Sequence, residues 1–249
     1  MEDYLFGIRP LLESLEEGKK PEKVLIQKGL QGENFQQLFS VIRKENIPFQ
    51  MVPAERLNKV TRKNHQGIIA FMPVIEYQSL ETLLPGIYDT GETPLLVLPD
   101  GVTDVRNMGA IARSAECAGA HALILSAKGS APVNADAMKA SAGALSRIPV
   151  CREPNILETI AFLQECGIHV IAFDDREKAS IYDADLSVPL AVIVGAEDKG
   201  VSPAARKLAD KHAAIPMEGN IASLNVSVAT GIILFETRRQ RMNQSRQSI

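Results

Sequence analysis

Ile215-Pro-Met-Glu-Gly-Asn-Ile-Ala-Ser-Leu-Asn-Val-Ser-Val-Ala-Thr-Gly231 sets a polar Ser-Leu-Asn turn directly against an apolar helix. The short apolar run Ala213 to Pro216 reads as a strand, and Glu218-Gly219-Asn220 is turn chemistry. Ser223 or Asn225 suits the cap of a helix that continues through Ile232, Ile233 and Phe235 to about Gln240. A strand end therefore meets a helix start, the kind of junction at which α/β proteins place ligands. Taken alone, Ser223 and Asn225 fit a plain helix cap as well as a binding site.

Other short, fully apolar runs read as strands: Leu95 to Leu98, Ala122 to Leu125, His169 to Phe173 and Ala191 to Val194. Helical stretches separate them, near Gly109 to Ala118, Ala135 to Ala142, Ile156 to Cys166 and Pro203 to Ala209. Continuous Val/Ile/Leu strands alternating with helices imply a parallel sheet covered on both faces, with ligands at the carboxyl ends of the strands. Residues 1–73 read as a separate small α/β unit, with strands at Lys23 to Gln27, Phe49 to Val52 and Gly67 to Phe71. Helices near Gly7 to Glu16, Asn34 to Glu45 and Pro53 to Val60 lie between them. Residues 74–93, with Pro85, Gly86 and Gly91, lose periodicity and read as a linker, so the larger unit spans 94–249. The polar end Asn243 to Ile249 reads as frayed.

The bulk numbers exclude several classes. At 249 residues with 45% hydrophobic and 23% charged residues, the chain can bury a real core. No apolar run is long enough to cross a bilayer, and Met1-Glu-Asp-Tyr-Leu lacks the basic start of a signal peptide, so a cytoplasmic protein is expected. The three cysteines, Cys117, Cys151 and Cys166, form no CxxC pair and read as core thiols; the four histidines have no ligand spacing, and no metal is expected. A net charge of −3 argues against a nucleic-acid binder only until its distribution is considered. Lys59, Arg62, Lys63 and His65 cluster before one strand, and Arg238, Arg239, Arg241 and Arg246 cluster near the carboxyl end. A solvated face explains either cluster as readily as RNA does.

Two further loops belong to the same sheet edge. Asp100-Gly-Val-Thr-Asp-Val-Arg-Asn-Met-Gly-Ala-Ile-Ala-Arg113 leaves a strand and enters a helix, with Asn107 just before it and Arg113 about a turn and a half inside, which could bring amide and guanidinium to one cleft. Gly195-Ala-Glu-Asp-Lys-Gly-Val-Ser202 also leaves a strand, and its glycines let backbone approach a ligand closely while Glu197 stands at the strand end. The pattern lacks the middle glycine of the dinucleotide fingerprint, and no Walker A sequence occurs, which disfavours a nucleotide- or NAD-dependent enzyme.

Taken together, Asn107 to Arg113, Gly195 to Ser202 and Ile215 to Val228 closely resemble the three motifs of the SpoU, or TrmH, family of RNA ribose 2′-O-methyltransferases. Phe6-Gly-Ile-Arg-Pro-Leu-Leu-Glu13 and His65-Gln-Gly-Ile-Ile-Ala70 resemble the family's amino-terminal RNA substrate-binding domain, and Lys139-Ala-Ser-Ala-Gly-Ala144 is similar to the bacterial branch that methylates a guanosine ribose in 23S rRNA. Val105 stands where the family carries proline, which implies altered loop rigidity rather than lost chemistry.

The resemblance implies an α/β protein: an L30e-like amino-terminal domain plus a SPOUT methyltransferase domain with an α/β trefoil knot. Patterning alone would have suggested an ordinary doubly wound sheet, because knots are so rare. It implies S-adenosyl-L-methionine as cofactor, held by Gly195, Gly200, Ile215, Met217 and Leu224, largely through backbone. It assigns catalysis to Arg113, Asn107, Glu197, Ser223 and Asn225, and the Lys59, Arg62, Lys63 and His65 cluster is then an RNA contact. Arg113 takes the family's base position, although a guanidinium stays charged up to a pKa above about 12. Either burial and a neighbouring phosphate allow its transient deprotonation, or it binds phosphate and stabilises the forming alkoxide. The final helix is apolar on more than one face, which core packing within one subunit would also explain; the resemblance, to relatives that are homodimers through this region, implies a homodimer. The rivals are a tRNA ribose methyltransferase and a catalytically silent RNA-binding or ribosome-assembly protein.

Overall fold

The computed structural model describes residues 4–221 and 223–247. They fall into two units, one ending at Val74 and one beginning at Ile75. In the first, β1 (Tyr4–Phe6), α1 (Ile8–Glu16), β2 (Lys23–Gln27), α2 (Glu33–Lys44), β3 (Phe49–Val52), α3 (Ala54–Val60) and β4 (Ile68–Phe71) form a sheet of order β1-β4-β2-β3. β2 and β3 are parallel, and β4 runs antiparallel to β1 and β2. Residues alternate across a strand. Val24 and Ile26 therefore pack with Leu11, Leu38 and Ile42 on one face, while Leu25 packs with Leu57 and Val52 on the other. Helices cover both faces, which is why the whole Val24-Leu-Ile26 run is apolar. β1 is absent from the sequence reading: three residues are too short for periodicity, and its pairing with β4 is what makes it a strand.

The second unit contains α4 (Leu80–Asp89), β5 (Leu95–Asp100), α5 (Val105–Ala118), β6 (Ala122–Ser126), α6 (Ala135–Ala140), β7 (Val150–Glu153), α7 (Ile156–Glu165), β8 (His169–Phe173), β9 (Leu190–Gly195), α8 (Pro203–Leu208), β10 (Lys211–Ala213) and α9 (Val226–Gln247). Its six strands run in the order β10-β8-β9-β5-β6-β7 and every pairing is parallel. Leu96 and Leu98 pack against Leu84 of α4 and Ile160 and Leu163 of α7, and α5 and α9 lie against each other elsewhere in the unit. From β5 the chain moves outward to β6 and β7, then returns to lay β9 against the other side of β5. Such a reversal opens a crevice at the carboxyl ends of the adjoining strands.

Four local expectations are corrected. Residues 80–89, read as linker, form α4: Leu80, Leu84 and Ile87 recur at helical spacing and are buried, and this outweighs Pro85 and Gly86. β7 is an edge strand with polar Arg152 and Glu153, which gave no apolar run to read. The strand expected at Ala213 to Pro216 lies earlier, at Lys211–Ala213, in register with Ile171 to Phe173. The carboxyl end is helical to Gln247 because its side chains are tethered: Gln240 Nε2 donates to Ala184 O at 3.1 Å, and Gln244 Nε2 to Ser187 Oγ at 2.6 Å. Ser248 and Ile249 lie outside the described residues.

Candidate active site

Three chain segments meet at the carboxyl edge of the larger sheet. After β5, Asp104 caps α5, its carboxylate accepting the amides of Arg106 at 2.8 Å and Asn107 at 3.0 Å. These bonds, that of Asn107 foremost, hold the Asp104 carboxyl below the ordinary carboxylate range. The helix thus starts before Asn107, which lies in its first turn and not ahead of it; Val105 occupies the first helical position.

After β9, the loop from Ala196 folds back so tightly that a Cβ on Gly195 would stand 1.9 Å from Gly200 C and 2.0 Å from Val201 N. Gly200 N donates to Ala196 O at 2.7 Å, closing the loop, and the positive φ of Gly200 suits a residue without a Cβ. Asp100 holds both roots: its carbonyl accepts Ala196 N at 3.1 Å and its carboxylate accepts Ser202 N at 2.7 Å. Before α9, Asn225 serves two purposes. Its Oδ1 accepts Ser227 N at 3.0 Å, capping the helix, while its Nδ2 donates to Asn107 Oδ1 at 3.1 Å and to Glu197 Oε1. Asn107 Nδ2 also donates to Glu197 Oε1, at 3.2 Å. Residues 107, 197 and 225 therefore close a ring of amide and carboxylate across three segments.

Beside this ring lies a cavity of about 300 Å³. Gly195, Gly200, Ile215, Met217 and Leu224 all line it, as do Glu197 and Ser223. Val226, Ala229 and Ile233 of α9 give it an apolar wall. The lining also takes in a segment outside the three loops read from the sequence: Phe173 at the end of β8, followed by Asp174, Asp175 and Arg176. The strand was read to its last residue, and the rule that ligands sit at strand carboxyl ends would have pointed to the residues just beyond Phe173. Asp174 is fully buried and paired with Arg176, whose guanidinium holds that carboxyl well below the ordinary range. Apolar walls, backbone exposed by two glycines and a few charged groups at the rim suit a small organic ligand with a planar apolar part and a charged tail.

Other expected residues fall elsewhere. Arg113 is exposed on α5 and makes no hydrogen bond to the ring among the described residues. Six residues on a helix advance about 600°, so Asn107 and Arg113 face different directions. In the first unit, Lys59, Arg62 and Lys63 are exposed at and beyond the end of α3, and Lys63 Nζ stands 5.5 Å from the Phe6 ring centre. His65 is partly structural: Gly67 N donates to its Nδ1 at 3.0 Å, which leaves Nε2 to donate to Asn58 Oδ1 at 3.0 Å. Arg239 pairs with Glu236, and Arg241 donates to the carbonyls of Thr93, Pro94 and Val188 at 2.6 to 2.8 Å. The side chain of Arg246 lies outside the described residues. Of the cysteines, Cys151 is buried, Cys166 half-buried and Cys117 exposed, so Cys117 is not a core thiol.

Residues 94–235 match the SpoU rRNA Methylase family, and residues 4–78 match the RNA 2′-O ribose methyltransferase substrate-binding domain. The chain is 37% identical over 244 residues to the 23S rRNA (guanosine-2′-O-)-methyltransferase RlmB of Vibrio parahaemolyticus, covering 96% of this chain and 98% of that one. It is 36% identical over 244 residues to RlmB of Escherichia coli, covering 97% and 100%. Among solved structures it is similar to the SpoU methyltransferase AviRb from Streptomyces viridochromogenes in complex with AdoMet, with a TM-score of 0.61 and 27% identity over 96% of this chain and 90% of that one. The expected architecture, a substrate-binding domain followed by a methyltransferase domain with a parallel sheet, is the one found.

Proposed function

The chain belongs to the SpoU rRNA methylase family, and from that premise we propose that it transfers the methyl group of S-adenosylmethionine to the 2′-hydroxyl of a guanosine in 23S rRNA. The observation that carries this reading is the juxtaposition at the carboxyl edge: a cavity walled by Gly195, Ile215 and Leu224, and a polar ring of residues 107, 197 and 225 built from the same loops. The cavity fits the cofactor. Its apolar wall suits an adenine, and the bare backbone at Gly195 and Gly200, where a Cβ would collide, supplies peptide groups at close range. S-adenosylmethionine supplies an electrophilic methyl group on a sulfonium.

The protein's own residues supply alignment and charge. Asn225, fixed at a capped helix start, and Asn107, fixed in the first turn of α5, hold Glu197 so that three loops share one geometry; such alignment can supply several kcal/mol. Ser223, exposed beside the cavity, is assigned to substrate positioning. The ribose hydroxyl becomes an oxyanion as its proton passes to water, and a cation beside it lowers that cost. We assign this to Arg113, which would also grip an adjacent phosphate. Its exposed, planar fork suits contact with a phosphate, which favours the phosphate-binding role.

The RNA is held in addition by Lys59, Arg62 and Lys63 of the substrate-binding domain, through phosphate contacts that position without reading sequence, with His65 bracing the loop beside them. The enzyme works as a homodimer in the cytoplasm. Supporting the first point, Val228, Phe235 and Met242 recur every seven residues along α9 and are each about half exposed, an apolar stripe that a second copy would cover. Supporting the second, the relatives that the chain matches are named as methyltransferases of 23S rRNA. The test is to incubate the protein with labelled S-adenosylmethionine and separate pools of unmodified large-subunit rRNA and tRNA, then map the methylated ribose. Label on a guanosine of 23S rRNA is expected; label in tRNA alone would overturn the substrate assignment.

A further inference from the structure

Asp174 begins the segment after β8, and its side chain is fully buried although it carries a charge. Arg176 supplies the counter-charge in a two-pronged arrangement, Nε to Oδ1 at 2.6 Å and Nη2 to Oδ2 at 2.5 Å, while its own amide donates to Oδ1 at 3.1 Å. Both partners also reach across to the loop that leaves β9. Val201 N donates to Asp174 Oδ2 at 3.4 Å, and Arg176 Nη2 donates to Lys199 O at 3.4 Å.

The pair fills the notch left by Gly200, where a Cβ would stand 2.7 Å from both Arg176 Nη2 and Asp174 Oδ2. One residue on, Glu177 pairs with Arg206 of α8, and its amide donates to Asp174 O at 3.2 Å. Residues 174–177 thus form a strap from the end of β8 to α8, lying against the outer limb of the loop. The roots of that loop are held separately by Asp100, and its tip carries Glu197. In the outer limb, Gly200 N is tied to Ala196 O within the loop, while the Lys199 carbonyl and the Val201 amide are tied to the strap.

A buried carboxylate that loses its cation is costly, so the position of the limb is coupled to the engagement of Arg176. Asp174, Arg176, Lys199 and Gly200 all line the cavity. We propose that Arg176 is a positioning residue: acting through Asp174, it holds the Lys199 to Val201 limb in the shape that completes the cavity, and so sets affinity for the cofactor rather than the rate of methyl transfer. This rests on the reading of the cavity as the S-adenosylmethionine site.

The experiment is calorimetric titration of S-adenosylmethionine into the full-length wild type, Arg176→Gln, Arg176→Lys and the double variant Asp174→Asn/Arg176→Gln, with steady-state kinetics alongside. Arg176→Gln is expected to raise both Kd and KM for the cofactor roughly tenfold to hundredfold, with kcat within about threefold of wild type. Arg176→Lys, which keeps the charge but not the fork, should recover part of the loss. If Arg176→Gln does not fold, the double variant, which removes both charges, carries the same expectation. Cofactor affinity within about twofold of wild type in whichever of these two folds would overturn the strap while leaving the cofactor site standing. A wild type that binds no S-adenosylmethionine would overturn the site and the strap together.

Discussion

Replacing Gly195 by alanine tests the cofactor loop at its tightest point. The new Cβ would stand 1.9 Å from Gly200 C, 2.0 Å from Val201 N and 2.2 Å from Gly200 O, whereas ordinary contact begins at 3.4 Å. All three are backbone atoms, so no rotamer change relieves the overlap, and the outer limb must retreat by about 1.5 Å. A shift of that size breaks the 2.7 Å bond from Gly200 N to Ala196 O and carries Val201 away from Asp174. Overpacking of this kind costs about 1–3 kcal/mol, which corresponds to several degrees of melting temperature for a unit of this size. A misplacement of more than an ångström should weaken cofactor binding by at least about 100-fold, or about 2.7 kcal/mol. Gly219→Ala is the control, because a Cβ there meets nothing within 4 Å and the φ of Gly219 is not positive. Titration calorimetry with S-adenosylmethionine and thermal melting with and without it would read both effects. Binding by Gly195→Ala within about threefold of wild type, at an unchanged melting temperature, would refute the reasoning.

Other consequences can be checked independently. Arg113→Ala should lower methyl transfer by about 10²- to 10³-fold, the loss typical of one oxyanion-stabilising group, while cofactor affinity is kept; near-normal turnover would remove Arg113 from the chemistry. Val105→Pro should stabilise the protein by about 0.4–1 kcal/mol, since Val105 occupies the first position of α5 and Asp104 before it is extended (φ −79°, ψ 124°), as a residue preceding proline must be; a lower melting temperature would contradict this. A thiol reagent should modify Cys117 rapidly and Cys151 only after denaturation, because burial pushes the Cys151 thiol up to about 12; loss of the fast phase in Cys117→Ser identifies it. The Asp174 carboxyl is held low by Arg176, so its contribution to stability is complete above the unfolded-state value near 4 and is lost as pH falls through its lower folded value. The difference in melting temperature between wild type and Asp174→Asn should therefore narrow as pH falls below about 4, and a constant difference would show that the charge is not what matters.

The legibility of the site depends on which residues signal locally. Asn225 could be recognised as a cap from its place before Val226-Ser-Val228, because capping depends on the next two or three residues alone. That its other end reaches Asn107, 118 positions earlier, is a property of strand order. Gly195 and Gly200 announced close backbone approach, yet what approached was the loop's own outer limb. Arg176 carried no signal, since an Asp-Asp-Arg run after a strand is ordinary surface composition until one carboxylate is seen to be buried.

By itself, the amino-acid sequence determined the class of the fold, since apolar runs separated by amphipathic helices admit little besides a covered parallel sheet. Together with the motifs, it also singled out the three loops that meet at the carboxyl edge of the sheet. Tertiary structure decided what depends on residues distant in sequence: the insertion of β9 between β8 and β5, the conversion of the 80–89 segment from linker to core helix, the placement of Asn107 and Arg113 on different sides of α5, and the strap from Asp174 to Glu177. Periodicity and capping arise from neighbours within a turn or two and are written locally. Sheet order, burial of a charge and the meeting of three loops are set by packing the whole unit, where each local choice is weighed against all the others.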